Sequence, residues 1–226
     1  MSDASVDLIQ LPIFPLENVV LFPRVQVPLH IFEPRYRQMT REALEGGRRI
    51  GMVVVRPANT DDMQHDPPVF EIGCAGDIER ADELPGGRFN VVLSGTARFA
   101  IEREDPTSDA RPYRWAHVRM LEDVYAEEDR RPVLALRSEI HDLMRKLLLI
   151  IAPSRVEMFE QQPIFKVGDE TFVNAMAQSI DFGPAEKQAL IESDSVRERY
   201  ERLADFMRFR LAEVSSGGSS GPGLVQ

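Results

Sequence analysis

The side chains best able to do chemistry in this sequence are four histidines, one cysteine and three lysines, and their spacing limits what they can do. His30, His65, His117 and His141 are scattered, without the His-Glu-x-x-His run that sets two imidazoles on one helix face around zinc. Cys74 alone supplies neither a cysteine zinc cluster nor an intrachain disulfide. Between Gly73 and Ala75 it reads as a small buried hydrophobe, with no basic neighbour to make a thiolate. Asp61, Asp62, His65 and Asp66 offer cation ligands by type but read better as a solvated polar loop. None of Lys146, Lys166 or Lys187 follows the glycine run of a phosphate-binding loop, which removes that route to ATP hydrolysis. Ser138 and Lys146 share an ordinary amphipathic stretch, whereas a Ser-Lys pair needs a desolvated lysine beside an exposed nucleophile. Glu127, Glu128 and Asp129 lack the separated environments that tune one carboxyl as acid and another as base. The expectation is therefore a protein that is not an enzyme, with no catalytic residue, no metal and no cofactor.

Binding is the chemistry that remains. Phe14, Leu16, Val19, Leu21 and Phe22 lie in a proline-rich stretch, and their plain reading is core. The sharper one is that the prolines thin out ladder donors and leave a strand edge with apolar surface, where an extended chain could pair. Glu33, Arg35 and Tyr36 open a helix, where a carboxylate is favoured by the macrodipole and where Arg and Tyr can anchor a partner. His30 reads as a partly buried imidazole bridging strand and helix, with a ligand contact as the alternative. The candidate binding residues are Phe22, His30, Glu33, Arg35 and Tyr36.

These residues need elements to hold them. Leu11 to Ile31 is apolar and β-branched but broken by Pro12, Pro15, Pro23 and Pro28, which predicts short, bent or edge strands because proline does not fit a central ladder. Pro34 at a first helical position opens a helix with Tyr36, Met39, Ala43 and Leu44 on one face, and Gly46-Gly47 stops it. Strands are expected over 49–56, 69–80, 88–93, 98–103 and 115–121, with a polar loop over 57–68 and a turn at Leu84-Pro-Gly-Gly87. The period then becomes helical: Val133, Leu136, Ile140, Leu143, Leu147 and Ile151 form a stripe ending before Pro153. That stripe needs an apolar partner, expected to be the β-rich half. Helices follow over 170–180, from Gly183-Pro184 to about 192, and from the capping pattern Ser195-Val-Arg-Glu198 through 213. Strands first and helices afterwards make an α+β chain. Its parts are a flexible N-terminus 1–10, a β-rich subdomain 11–124, a helical subdomain 125–213 and a disordered Gly/Ser tail 214–226.

The formal net charge of −10 is spread evenly, so neither half carries the basic surface that phosphates or anionic lipid require. No run matches a secretory signal or a membrane span, and cytoplasm is the expected location.

Two longer runs carry a resemblance. Leu11-Pro-Ile-Phe-Pro-Leu-Glu-Asn-Val-Val-Leu-Phe-Pro23, followed by Val27-Pro-Leu-His-Ile-Phe-Glu-Pro-Arg-Tyr36, resembles the opening signature of the Lon protease N-terminal (substrate-binding) domain family. The likeness continues through Leu84-Pro-Gly-Gly-Arg-Phe-Asn90, Leu93-Ser-Gly-Thr-Ala-Arg-Phe99, Phe172-Val-Asn174 and Glu186-Lys-Gln-Ala-Leu190, so it covers roughly residues 10–212. It implies a PUA-like pseudo-barrel of strands over 11–124 followed by the helical part; the sequence departs from the full-length proteases in showing no ATPase or protease module, so a stand-alone domain is expected. It also implies a partner that is an unfolded or extended polypeptide, or another protein. PUA-like barrels also suggest RNA by fold analogy, which the acidic charge opposes, and a cleft between the two halves would suit a small molecule.

Overall fold

The computed structural model describes residues 7–57 and 67–216 and divides into two compact units, one through Glu122 and one from Asp123. The acidic loop of Asp61, Asp62, His65 and Asp66 and all but the first residues of the expected tail lie outside the described residues.

The first unit contains β1 (Ile9–Leu16), β2 (Gln26–Ile31), α1 (Pro34–Glu45), β3 (Arg49–Val54), β4 (Ile72–Leu84), β5 (Arg88–Asp105) and β6 (Arg114–Leu121). The strands run in the order β2-β5-β4-β3-β1-β6, and β5 also pairs β6. That second pairing closes β5, β4, β3, β1 and β6 into a barrel and leaves β2 outside it, bonded among the described strands to β5 alone. Leu11, Ile13, Val53, Ala75, Phe99, Ala116 and Val118 fill one cluster of its core.

Two sequence expectations are corrected here. The first is that proline keeps the Leu11–Ile31 region out of a central position. β1 lies between β3 and β6, but the two partners are staggered: β6 pairs with Ile9–Ile13 and β3 with Ile13–Leu16. Pro12 and Pro15 therefore each sit where the strand is paired on one side only, so a missing donor can face the unpaired side. The second is that 88–93 and 98–103 are separate strands. They are one strand, because the small residues Ser94 to Ala97 form no turn and continue the pairing to β4 through a register shift at Ala75/Gly76. A bulge bends a strand and increases its twist. The first half of β5 can thus serve β2 while its second half reaches β6. The expected turn is present, with Gly86 and Gly87 at φ 83° and 71°, a conformation side chains resist.

The second unit is helical: α2 (Arg130–Ile151), α3 (Val156–Glu160), α4 (Asp169–Ser179), α5 (Pro184–Ile191) and α6 (Val196–Ser215), with short 3-10 turns between some of them. The stripe of α2 buries Val133, Ile140, Leu143 and Leu147, while Leu136 is half-buried and Ile151 exposed. Its partner is α6, which turns Val196, Tyr200, Leu203, Ala204 and Met207 inward. The apolar partner expected in the β-rich half is thus found within the helical unit. Each such side chain contributes about 1.5–3 kcal/mol when fully buried. α6 starts as its capping pattern predicts, with the Ser195 hydroxyl accepting from the Glu198 N–H at 3.1 Å. The Glu198 carboxylate closes the box one residue early, on the Asp194 N–H at 2.7 Å.

Arg199 is the largest fully buried side chain. Its guanidinium donates to both oxygens of Asp123, at 2.7 and 3.2 Å, to Asn174 Oδ1 at 2.8 Å and to the Leu190 carbonyl at 3.1 Å. One cation thereby ties α4, α5 and α6 to the residue that begins the unit. Beside it Asp169 accepts from Arg137 and from the Tyr125 hydroxyl, both at 2.7 Å. No helix among the described residues is long and apolar enough to cross a membrane.

Candidate functional site

The structure separates the five candidate binding residues into two groups. Phe22 and Tyr36 are core: Phe22 has no exposed surface, and Tyr36 packs edge-on against Phe14 at 4.7 Å between centroids. His30 is exposed, which corrects the expectation of a partly buried bridge. Its Nδ1 lies 2.7 Å from Asn90 Oδ1 on β5, and its ring stacks on Phe32 at 6.1 Å. Glu33 precedes the first residue of α1 but makes no side-chain cap; its carboxylate instead accepts from Arg35 at 3.1 Å. The Arg35 guanidinium lies 4.5 Å from the Tyr36 ring centroid.

The residue missed by sequence reasoning in this region is Phe32, which is 60% exposed. It stands between buried Ile31 and the start of α1. The available signal was strand parity. Val27 and Ile31 are buried while Gln26, Pro28 and His30 are exposed, and Phe32 continues the outer set.

The same parity governs the backbone. The Gly95 N–H donates to the Val25 carbonyl at 2.8 Å, and the register continues with Val27 opposite Leu93, Leu29 opposite Val91 and Ile31 opposite Phe89. In an antiparallel pair such residues exchange main-chain bonds, and those between them point theirs away. The outward set is Gln26, Pro28 and His30. Proline, lacking an N–H, is compatible only with that outward set.

The helical unit holds a groove of about 700 Å³, lined by Met144, Leu148, Met158, Phe159, Ile164 and Met176, with Arg155, Asp181 and Arg210 also in its lining. Met158 is 57% exposed and Ile151, beside it, is 43% exposed. The wall carried by α3 is anchored by stacking: Phe159 lies 5.6 Å from the His141 ring and 5.0 Å from Phe165. The α2 stripe hinted at this surface, because Ile151 lies at its unburied end, whereas the contribution of α3 had no signal in the periodicity. His117 is a strand residue with Nδ1 3.1 Å from Arg103 and Nε2 3.2 Å from Asp105. Among the described residues no group of three or more His, Cys, Asp or Glu is arranged to hold a metal ion.

A barrel with one strand left outside its ring, followed by a helical unit with an apolar groove, defines an α+β protein that offers two kinds of accessible surface. The pattern that defines the family described as "ATP-dependent protease La (LON) substrate-binding domain" matches residues 10–208. The chain belongs to this family. It is 32% identical to a Lon protease of Parabacteroides distasonis over 216 residues, which is 91% of this chain and 25% of that protein. It is 30% identical to the Lon protease of Brucella suis over 206 residues, 90% of this chain and 24% of that protein. The chain thus spans about a quarter of the length of the curated relatives it matches. Among solved structures, a Lon N-terminal domain protein from Xanthomonas campestris shares the fold at a TM-score of 0.58 and 21% identity, covering 88% of this chain and 99% of that one. The N-terminal domain of Mycobacterium avium complex Lon protease does so at 0.63 and 17%, covering 88% and 98%.

Proposed function

We propose that this chain is a non-catalytic polypeptide-binding or adaptor module, which recognises unfolded or extended segments of other proteins. The observation that carries this reading is the family relationship, which matches the substrate-binding domain over residues 10–208. The groove of the helical unit supports it. Thioether side chains are unbranched and polarizable, so Met144, Met158 and Met176 adapt to apolar side chains of varied shape, as a binder of many sequences requires. The net charge of −10 supports a protein partner over nucleic acid. The test is fluorescence anisotropy with a labelled protein kept unfolded by reduction and alkylation. Saturable binding is expected, competed by other unfolded chains and not by the folded form. A flat titration into the high micromolar range ends the reading.

A further inference from the structure

We propose that the outer edge of β2 takes up an extended polypeptide segment as an added strand. The inference rests on the polypeptide-binding reading for its partner, and adds the means by which that partner is held. Among the described residues β2 has β5 on one side and no strand on the other. The side chains of Gln26, Pro28 and His30 are all exposed, and among the described residues no other backbone group pairs with their outward N–H and C=O groups. An alternating row of donors and acceptors fits the main chain of an extended peptide, which presents the same row reversed. Side-chain sequence matters little to such pairing, so the mode suits a binder of unfolded chains.

Pro28 shapes the contact. An antiparallel guest would exchange two bonds with Gln26 and two with His30 but only receive an acceptor from Pro28, about five bonds in all. The gap in the middle interrupts the continuous ladder by which open edges associate with one another, and it leaves a short pairing site intact at each end. Phe32 closes the row on the same exposed face, stacked on His30, and offers an apolar surface to the guest side chain that reaches the end of the strand. The occupant is thus an extended segment with an apolar residue at one end of a stretch of about five residues.

The probe is a peptide cut from an unfolded protein that the chain binds, made in two forms with backbone N-methylation at alternate residues. Strand addition uses the N–H groups of one parity only. One form should therefore lose about tenfold or more in affinity, and the other should bind as the parent does. Gln26→Pro combined with His30→Pro removes the two outward donors without touching the ladder to β5, and should weaken binding by a similar factor at an unchanged melting temperature. If that variant fails to fold, the N-methylated pair on the unaltered protein decides alone. Equal affinity of both methylated forms overturns the proposal and leaves the polypeptide-binding reading standing, with the groove as the site. Binding of no unfolded chain at all overturns both. A protein that instead dimerises through this edge, with peptide unable to compete, overturns the proposal as well.

Discussion

The two units of this chain bury their interiors by different means. The barrel has little spare volume at the glycines inside its strands: a Cβ added to Gly95 would lie 2.1 Å from the Phe22 carbonyl oxygen, and one added to Gly73 would lie 2.3 Å from that of Met52. Gly95 and Gly73 lie in the ladders of β5 and β4, so neither can shift to make room without disturbing one. The helical unit places an ion pair inside, with Arg199 fully buried against Asp123. A charge there is tolerated only because its donors are matched by Asp123, Asn174 and the Leu190 carbonyl. The difference teaches that close backbone approach specifies the barrel's strands, although Arg98 is buried there too, whereas a fully buried ion pair helps specify the helical unit.

The largest expected effect breaks that pairing. Arg199→Ala leaves Asp123 with its carboxylate only 11% exposed and without its main cation, and should destabilise by about 3–5 kcal/mol in denaturant unfolding. A cost below about 1 kcal/mol would mean that apolar periodicity alone holds the helices. Next is excluded volume: Gly95→Ala should cost about 1–3 kcal/mol, while Gly47→Ala, with nothing within 4 Å of the new carbon, should stay within about 0.5 kcal/mol. Equal costs at the two positions would remove the contrast. A substitution in the groove sharpens the comparison on the side of function. Met158→Asp places a charge on an exposed apolar surface, and should weaken binding of an unfolded protein about tenfold with little change in the melting midpoint.

The smallest effect concerns alkaline pH. Desolvation first, and then the hydrogen bond to Asp169, push the Tyr125 hydroxyl from 10.0 up to about 12. A raised pKa means the folded state holds the proton more tightly than the unfolded one. The contribution is therefore complete below pH 10.0 and is lost as pH rises through about 12. Tyr125→Phe should cost about 1 kcal/mol at neutral pH and flatten this share of the alkaline decline, measured as unfolding midpoints across that range. Tyr113 and Tyr200 are also raised, chiefly by burial, so part of the decline should persist in the variant.

Element types, and several of their ends, were legible in the residue order because they depend on near neighbours. Pro34 and Gly46 bound α1, Ala152-Pro153 ends α2, and Ser195 with Glu198 starts α6, each through a backbone group met within a few residues. Residues 11–23 and 27–36 were enough to indicate the family. The candidate site was legible as a region, since His30, Glu33, Arg35 and the unnoticed Phe32 all border β2 or α1. Which of its residues are accessible was not. Phe22 and Phe32 have the same side chain, yet one is core and the other 60% exposed, because each orientation depends on which face of its segment meets the barrel. Proline content marked the whole stretch to Ile31 as an edge, but β1 is interior, between the staggered β3 and β6, while β2 pairs with β5 on one side only among the described residues. Arg199 and Asp123 lie 76 positions apart, beyond the reach of any local period. The sequence by itself determined where the chain would turn, cap and alternate, because short-range sterics and hydrogen bonding decide those. Tertiary structure alone decided which edge stayed open and which charge went inside, because both depend on what distant segments bring alongside.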